Sequence, residues 1–198
     1  MTKLSLKNLE QFTSFLHRLP QVKRFTHRPG ETEPMNTAEH TLELALLCWY
    51  IMECEALELN SDLVLKYALA HDLVEAYAGD TPAYDTEGQT QKATREHKAL
   101  QRIEKEFKEF PELIQIITDY EEKSDKESVF VYAVDKLIDP LGVSLETGTT
   151  HWKKHGVTYN DMRTYKDTKI SQHATIQSYW EELCEKFERD TERYFASE

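Results

Sequence analysis

Residues 65–80 read LKYALAHDLVEAYAGD, a nearly apolar stretch into which His71, Asp72 and Glu75 intrude within five residues. Such groups need a reason to be there, because a carboxylate enclosed by apolar side chains without a partner costs on the order of several kcal/mol. On a helix, Glu75 stands four residues after His71 and three after Asp72, so all three can reach one cavity. Imidazole with carboxylate suits a transition-metal or manganese-type divalent cation, and a further carboxylate suits handling a proton on metal-bound water. Two more polar residues interrupt apolar surroundings: His40, at the start of an apolar run, and Asp135, in the middle of VFVYAVDKLI. Two histidines and two carboxylates from three helices would offer a divalent cation four ligands and leave positions for water and substrate.

The elements that must position these residues are helical by pattern. The chain has only six Gly and six Pro, and its apolar residues fall at helical spacing. The spacing predicts helices over 4–18, from 36 or 37 to about 57, from a Ser61-Asp62 cap through the His71 stretch to Gly79, over 89–110, and from Pro111 through Tyr120. Asn36 with Glu39, and Ser124 with Glu127, have capping-box spacing. The second box precedes a largely buried helix that carries Asp135 and is expected to be interrupted near Pro140. Residues 20–36, PQVKRFTHRPGETEPMN, read as an irregular loop of the kind that carries function. Residues 147–169 are poorly periodic and take no assignment, and a final helix is expected over 171–195. His151, Trp152, His155 and His173 read as structural or surface residues; HWKKH has a metal-compatible spacing but no evident partner carboxylate.

With 198 residues and no Pro/Gly/Ser-rich linker, one domain is expected. Lys+Arg number 24 against Asp+Glu 36, a net charge of -12, which argues against a duplex nucleic-acid binder. The opening MTKLSLKNLE has no signal-peptide apolar core, and no run of about 18 uncharged apolar residues occurs, so a soluble, cytoplasmic protein without a membrane partner is expected. Cys48, Cys54 and Cys184 are scattered and form no CxxC, which predicts neither disulfides nor a zinc knuckle; Cys48 is expected in the core.

The pattern resembles the HD-domain metal-dependent phosphohydrolases, defined by a His, then His-Asp, then a distant Asp: here His40 in NTAEHT, His71-Asp72 in LAHDLVEA and Asp135 in YAVDKL. Within that superfamily it is most similar to the small single-domain 5'-deoxynucleotidases. Glu75 and Gly79-Asp80 match the continuation past His-Asp, Arg24-Phe25 matches an Arg-aromatic pair ahead of the first His, and QTQKATREHKALQRI matches a basic helix. The likeness covers about residues 5–145.

The resemblance implies an all-α, single-domain HD-type helical bundle over 1–198, with its core at about 5–145 and a C-terminal helical extension over about 147–198. It implies one divalent metal ion, cobalt, manganese or similar, on His40, His71, Asp72 and Asp135. The reaction implied is removal of the 5'-phosphate from a deoxyribonucleoside monophosphate, a small-molecule nucleotide substrate. Catalysis would fall to Glu75, which positions or deprotonates the attacking water, together with Asp72. Arg24 would hold the phosphate, Phe25 would sit where a 2'-hydroxyl is unwelcome, and Asp80 would help hold the nucleotide. A homodimer is implied as well.

The chemistry agrees with those roles. A phosphomonoester repels nucleophiles by its own charge, which a cation and an Arg both counter. Arg28 competes with Arg24 for the phosphate. A dNTP triphosphohydrolase is the alternative on the same fold, and it would want several cations at the pocket, with Lys23, Arg28, Lys92, Arg95 and Lys136 as candidates. Hydrolysis of another phosphorylated small molecule is a further alternative. A non-catalytic metal-bound regulatory module would be marked by loss of the ligand set or of Glu75, and neither is lost. His97 is the sole histidine between His71 and Asp135, so a dinuclear site lacks ligands.

Overall fold

The structure, a computed structural model, describes residues 3–31 and 33–197. Helix α1 (Leu6–Leu16) starts at a reciprocal cap between Ser5 and Asn8 and buries Phe15. After a 3-10 turn at Leu19–Gln21 the chain forms a small antiparallel ribbon, β1 (Lys23–His27) against β2 (Pro34–Asn36), with Lys23 opposite Asn36 and His27 opposite Pro34. The sequence reading of residues 20–36 as irregular is corrected here. Two short strands pair only with each other; Pro20 sits in the 3-10 turn before them, Pro29 and Gly30 lie between them, and Pro34 opens β2.

Asn36 then caps α2 (Thr37–Cys54), exchanging hydrogen bonds with Glu39 as its spacing predicts. Helix α3 (Ser61–Ala70) is capped by Asn60 and ends at His71. A turn follows, then the one-turn α4 (Glu75–Ala78), closed by Gly79 at φ +74°. The stretch expected to be one helix is therefore two, yet His71, Asp72 and Glu75 still converge.

Helices α5 (Thr86–Glu106) and α6 (Pro111–Glu122) lie close to their predicted positions. Helix α7 (Lys126–Leu145) departs from the prediction twice. Its capping box is formed by Asp125 and Ser128, one residue later than expected. It also runs through Pro140 without a break. A proline inside a helix costs roughly 3 kcal/mol. Burial of Leu137 and Val143 on either side of it, worth about 1.5–3 kcal/mol each, outweighs that.

The segment without an assignment forms α8 (His151–Lys154) and α9 (Tyr159–Ile170), and the final helix is α10 (Ala174–Glu188) followed by the short α11 (Thr191–Tyr194). Helix α7 is the central element, packed against α2, α3, α6, α9 and α10. Leu44, Cys48, Val64, Ala68, Phe130, Val131 and Val134 are fully buried at the α2, α3 and α7 junction. No described helix is long and apolar enough to cross a membrane. On its far side α2 exposes Leu42, Leu46, Trp49 and Tyr50.

Candidate metal centre and the cleft over it

Four side chains from α2, the end of α3 and α7 meet beneath a cleft. His40 comes from the first turn of α2, His71 and Asp72 from the turn that ends α3, and Asp135 from the middle of α7. His40 Nε2 lies 3.0 Å from Asp135 Oδ1 and 3.8 Å from Asp72 Oδ2. His71 Nε2 lies 2.9 Å from Asp72 Oδ2 and 3.9 Å from Asp135 Oδ1. Donor atoms of His40, His71 and Asp72 fall within 4.8 Å of one another. Both histidines and Asp135 are buried.

Whether these residues fit a divalent cation is decided by their free lone pairs. His71 Nδ1 donates to the Ala68 carbonyl oxygen at 2.8 Å, which fixes the ring and points Nε2 at the centre. There Nε2 is buried without a hydrogen bond. Burial and the nearby Arg24 push the His40 imidazole down to about 4, leaving it neutral with a lone pair to give. Burial opposes the anion at Asp72, but His71 and Arg24 outweigh it and hold that carboxyl below its usual range. At Asp135 the same contest is won by Lys136 and His40. Two imidazoles with Nε2 turned inward and two ionised carboxylates form a donor set that fits a divalent transition metal.

Glu75 begins α4 beside this centre and is buried, with its Oε2 accepting from Thr37 Oγ1 at 2.8 Å. Burial and the Asp72 charge push its carboxyl well up, against the pull of Arg24. Arg24, from β1, donates to Asp72 Oδ2 at 2.6 Å and lies 3.9 Å from Glu75. Its competitor Arg28 lies past the strand end, paired with Glu31 at 2.7 Å and Glu39 at 3.4 Å. The structure thus brings Arg24, and not Arg28, to the centre. Asp80 lines the same cavity, its carboxyl raised by burial and Asp72. Phe25 also lines it, packed on the His155 ring at 4.7 Å.

The opposite wall comes from residues that sequence reasoning missed or left unplaced. Lys92 of α5, Lys136 of α7, and Tyr165 and Lys166 of α9 line the cleft with Arg24 and Asp135. Of the other cation candidates, Lys23 is exposed and Arg95 donates to Thr81 Oγ1 at 2.5 Å. The lysines of α9 had no periodic signal, since they face a cleft rather than the core. His151 does have partner carboxylates: its Nδ1 meets Glu146 Oε1, and its Nε2 lies 3.8 Å from Asp139 Oδ1.

The human 5'-deoxynucleotidase HDDC2 is 28% identical over 134 residues, 66% of this chain and 64% of that protein. The 5'-deoxynucleotidase hdd1 of Schizosaccharomyces pombe is 26% identical over 54% of this chain and 56% of its own. The chain thus spans less than two thirds of the length of these relatives. Among solved structures, one described as a predicted metal-dependent phosphohydrolase from Magnetospirillum magnetotacticum MS-1 superimposes with a TM-score of 0.80 at 26% identity, covering 96% of this chain and 99% of that one. PH0347 from Pyrococcus horikoshii OT3, at 21% identity and TM-score 0.64, shares the fold over 91% of this chain and 98% of its own. The family described as HD domain matches residues 16–180, so a chain built around His40, His71-Asp72 and Asp135 belongs to the HD domain family.

Proposed function

We propose that this protein is a metal-dependent phosphohydrolase that removes the 5'-phosphate from deoxyribonucleoside monophosphates, giving deoxynucleoside and phosphate. The observation that carries the reading is a metal-competent donor set with a buried carboxylate, Glu75, and a half-buried guanidinium, Arg24, placed beside it. The names of the relatives and of the Magnetospirillum structure support the same class.

His40, His71, Asp72 and Asp135 would hold one divalent cation, cobalt or manganese by the family resemblance. When bound, it would neutralise phosphate charge and make water a stronger acid at neutral pH. Glu75, kept in place by Thr37, orients the attacking water and accepts its proton at Oε1 or Oε2. Arg24 turns from Asp72 to the phosphate oxygens, where a guanidinium gives a forked, charge-assisted contact. Phe25 and Asp80 bound the side where the sugar rests. One Arg and one cation suffice locally, so the net charge of -12 slows encounter without barring the substrate.

The test is product identification after incubating manganese- or cobalt-loaded protein with matched panels of dNMPs, NMPs and dNTPs. Nucleoside and phosphate from dNMPs but not NMPs is the expected result. Triphosphate released from a dNTP would replace this reading with the triphosphohydrolase alternative. A cytoplasmic homodimer belongs to the same proposal, with the exposed α2 face of Leu42, Leu46, Trp49 and Tyr50 as the surface a second copy would cover. Sedimentation at micromolar concentration tests it, a monomer being the contrary result.

A further inference from the structure

Beside the metal centre lies a second cavity of about 330 Å³ that shares Asp72, Lys92, Asp135, Lys136 and Tyr165 with the first but is not lined by Arg24, Phe25 or Asp80. Lys169 of α9 enters it, its ammonium 3.0 Å from the centre of the Tyr165 ring. Lys166, one turn earlier, is almost wholly buried and lines the first cavity, 3.7 Å from Asp139 Oδ2. Lys136 is held by Asp135 at 2.5 Å and Lys92 by Glu96 at 3.6 Å. Among the described residues Lys169 makes no ion pair.

Four lysines, Lys92, Lys123, Lys136 and Lys169, lining one cavity in a chain with net charge -12 need an explanation. Surface lysines usually spread out, because like charges held together cost free energy unless an anion joins them. The two carboxylates nearest the centre would be committed to a cation, which leaves Glu96 and Glu121 as the other acids lining this cavity. Burial and then Lys136, Lys166 and Lys92 push the Lys169 ammonium down to about 7. A single phosphoryl group is already met by the metal and by Arg24 on the other side of Asp72. The lysines exceed what one such group needs.

We propose that this second cavity is a phosphoryl subsite, so that the preferred substrate carries another phosphoryl group besides the one that is cleaved, received by Lys92, Lys136 and Lys169. The inference rests on the nucleotidase reading and narrows its substrate class to doubly phosphorylated nucleotides. Two sources share this chemistry: a phosphate on the sugar 3'-oxygen, and the inner phosphate of a 5'-diphosphate. In either, the water oxygen bonds to the cleaved phosphorus, the bond from that phosphorus to its bridging oxygen breaks, and the departing oxygen ends protonated or as a phosphate anion. With a 3',5'-bisphosphate the products are a nucleoside 3'-phosphate and phosphate; with a diphosphate they are a monophosphate and phosphate.

The experiment compares kcat/KM for dAMP, deoxyadenosine 3',5'-bisphosphate and dADP on manganese-loaded wild type, Lys169→Ala and Lys92→Ala. The expected result is a preference of about tenfold or more for one doubly phosphorylated compound over dAMP, collapsing to within about twofold in both variants. Which compound is preferred identifies the source. Equal kcat/KM for all three, with ratios unmoved in the variants, overturns the subsite while leaving the nucleotidase reading in place. Should no deoxynucleotide be turned over, that reading fails and calorimetric titration with pyrophosphate judges the subsite alone. Binding weakened about tenfold by Lys169→Ala upholds it, and equal binding overturns it.

Discussion

At the junction of α2, α3 and α7 two imidazoles face two carboxylates from separate elements, whereas near the end of α7 a single imidazole, His151, sits between Glu146 and Asp139. Both places bury histidine with acid, and both leave an Nε2 without a hydrogen bond. They differ in convergence. At the first, donors from three elements aim at one point beneath an open cleft. At the second, Glu146 grips the ring from five residues away, and the rings of Phe25, His27 and Trp152 enclose it at 5.7, 5.7 and 6.1 Å. Burial of a histidine beside an acid is thus common to both a ligand set and a structural clasp. What separates them is how many elements contribute and whether a substrate can approach.

The comparison is broken most severely at the ligands. Asp135→Ala and His71→Ala should each release the cation, seen as lost stoichiometry by metal analysis, and reduce turnover at least 10³-fold. Metal retained in both would mean the centre is misassigned. Glu75→Gln should lower kcat about 10²–10⁴-fold while metal content stays at the wild-type value, and full activity would end its role. Arg24→Ala should raise KM for a nucleotide about 10- to 100-fold, whereas Arg28→Ala should change it less than about twofold; the reverse order would transfer the phosphate contact to Arg28. His151→Ala sharpens the contrast from the other side. It should leave metal stoichiometry intact and destabilise the fold by about 1–3 kcal/mol in urea titration, since it strips Glu146 of its partner. Loss of metal in that variant would erase the distinction between the two clusters.

The convergence of His40, His71, Asp72 and Asp135 was legible because polar residues at apolar helix positions stand out one by one. The choice between Arg24 and Arg28 was not, since it turns on where β1 stops and on Glu31 and Glu39 taking the second arginine. The ribbon was hidden because strands of five and three residues carry too little alternation to register against nearby prolines. Pro140 misled for a related reason: local propensity predicts a break, and packing on both sides overrides it. Lys166 and Lys169 belong to the cleft only through the packing of α9 on α7, a tertiary fact without a local sequence signature.

The join between β2 and α2 places three duties within five residues: Asn36 caps the helix, Thr37 holds Glu75, and His40 reaches Asp135 at the candidate centre. An insertion of one residue there would turn His40 by about 100° away from the centre. Across the ribbon, among the described residues between the strands, Arg28 pairs with Glu31 and Glu39. The stretch from Asn36 to His40 is therefore held to a fixed length, whereas connecting loops in general tolerate insertion and recoding.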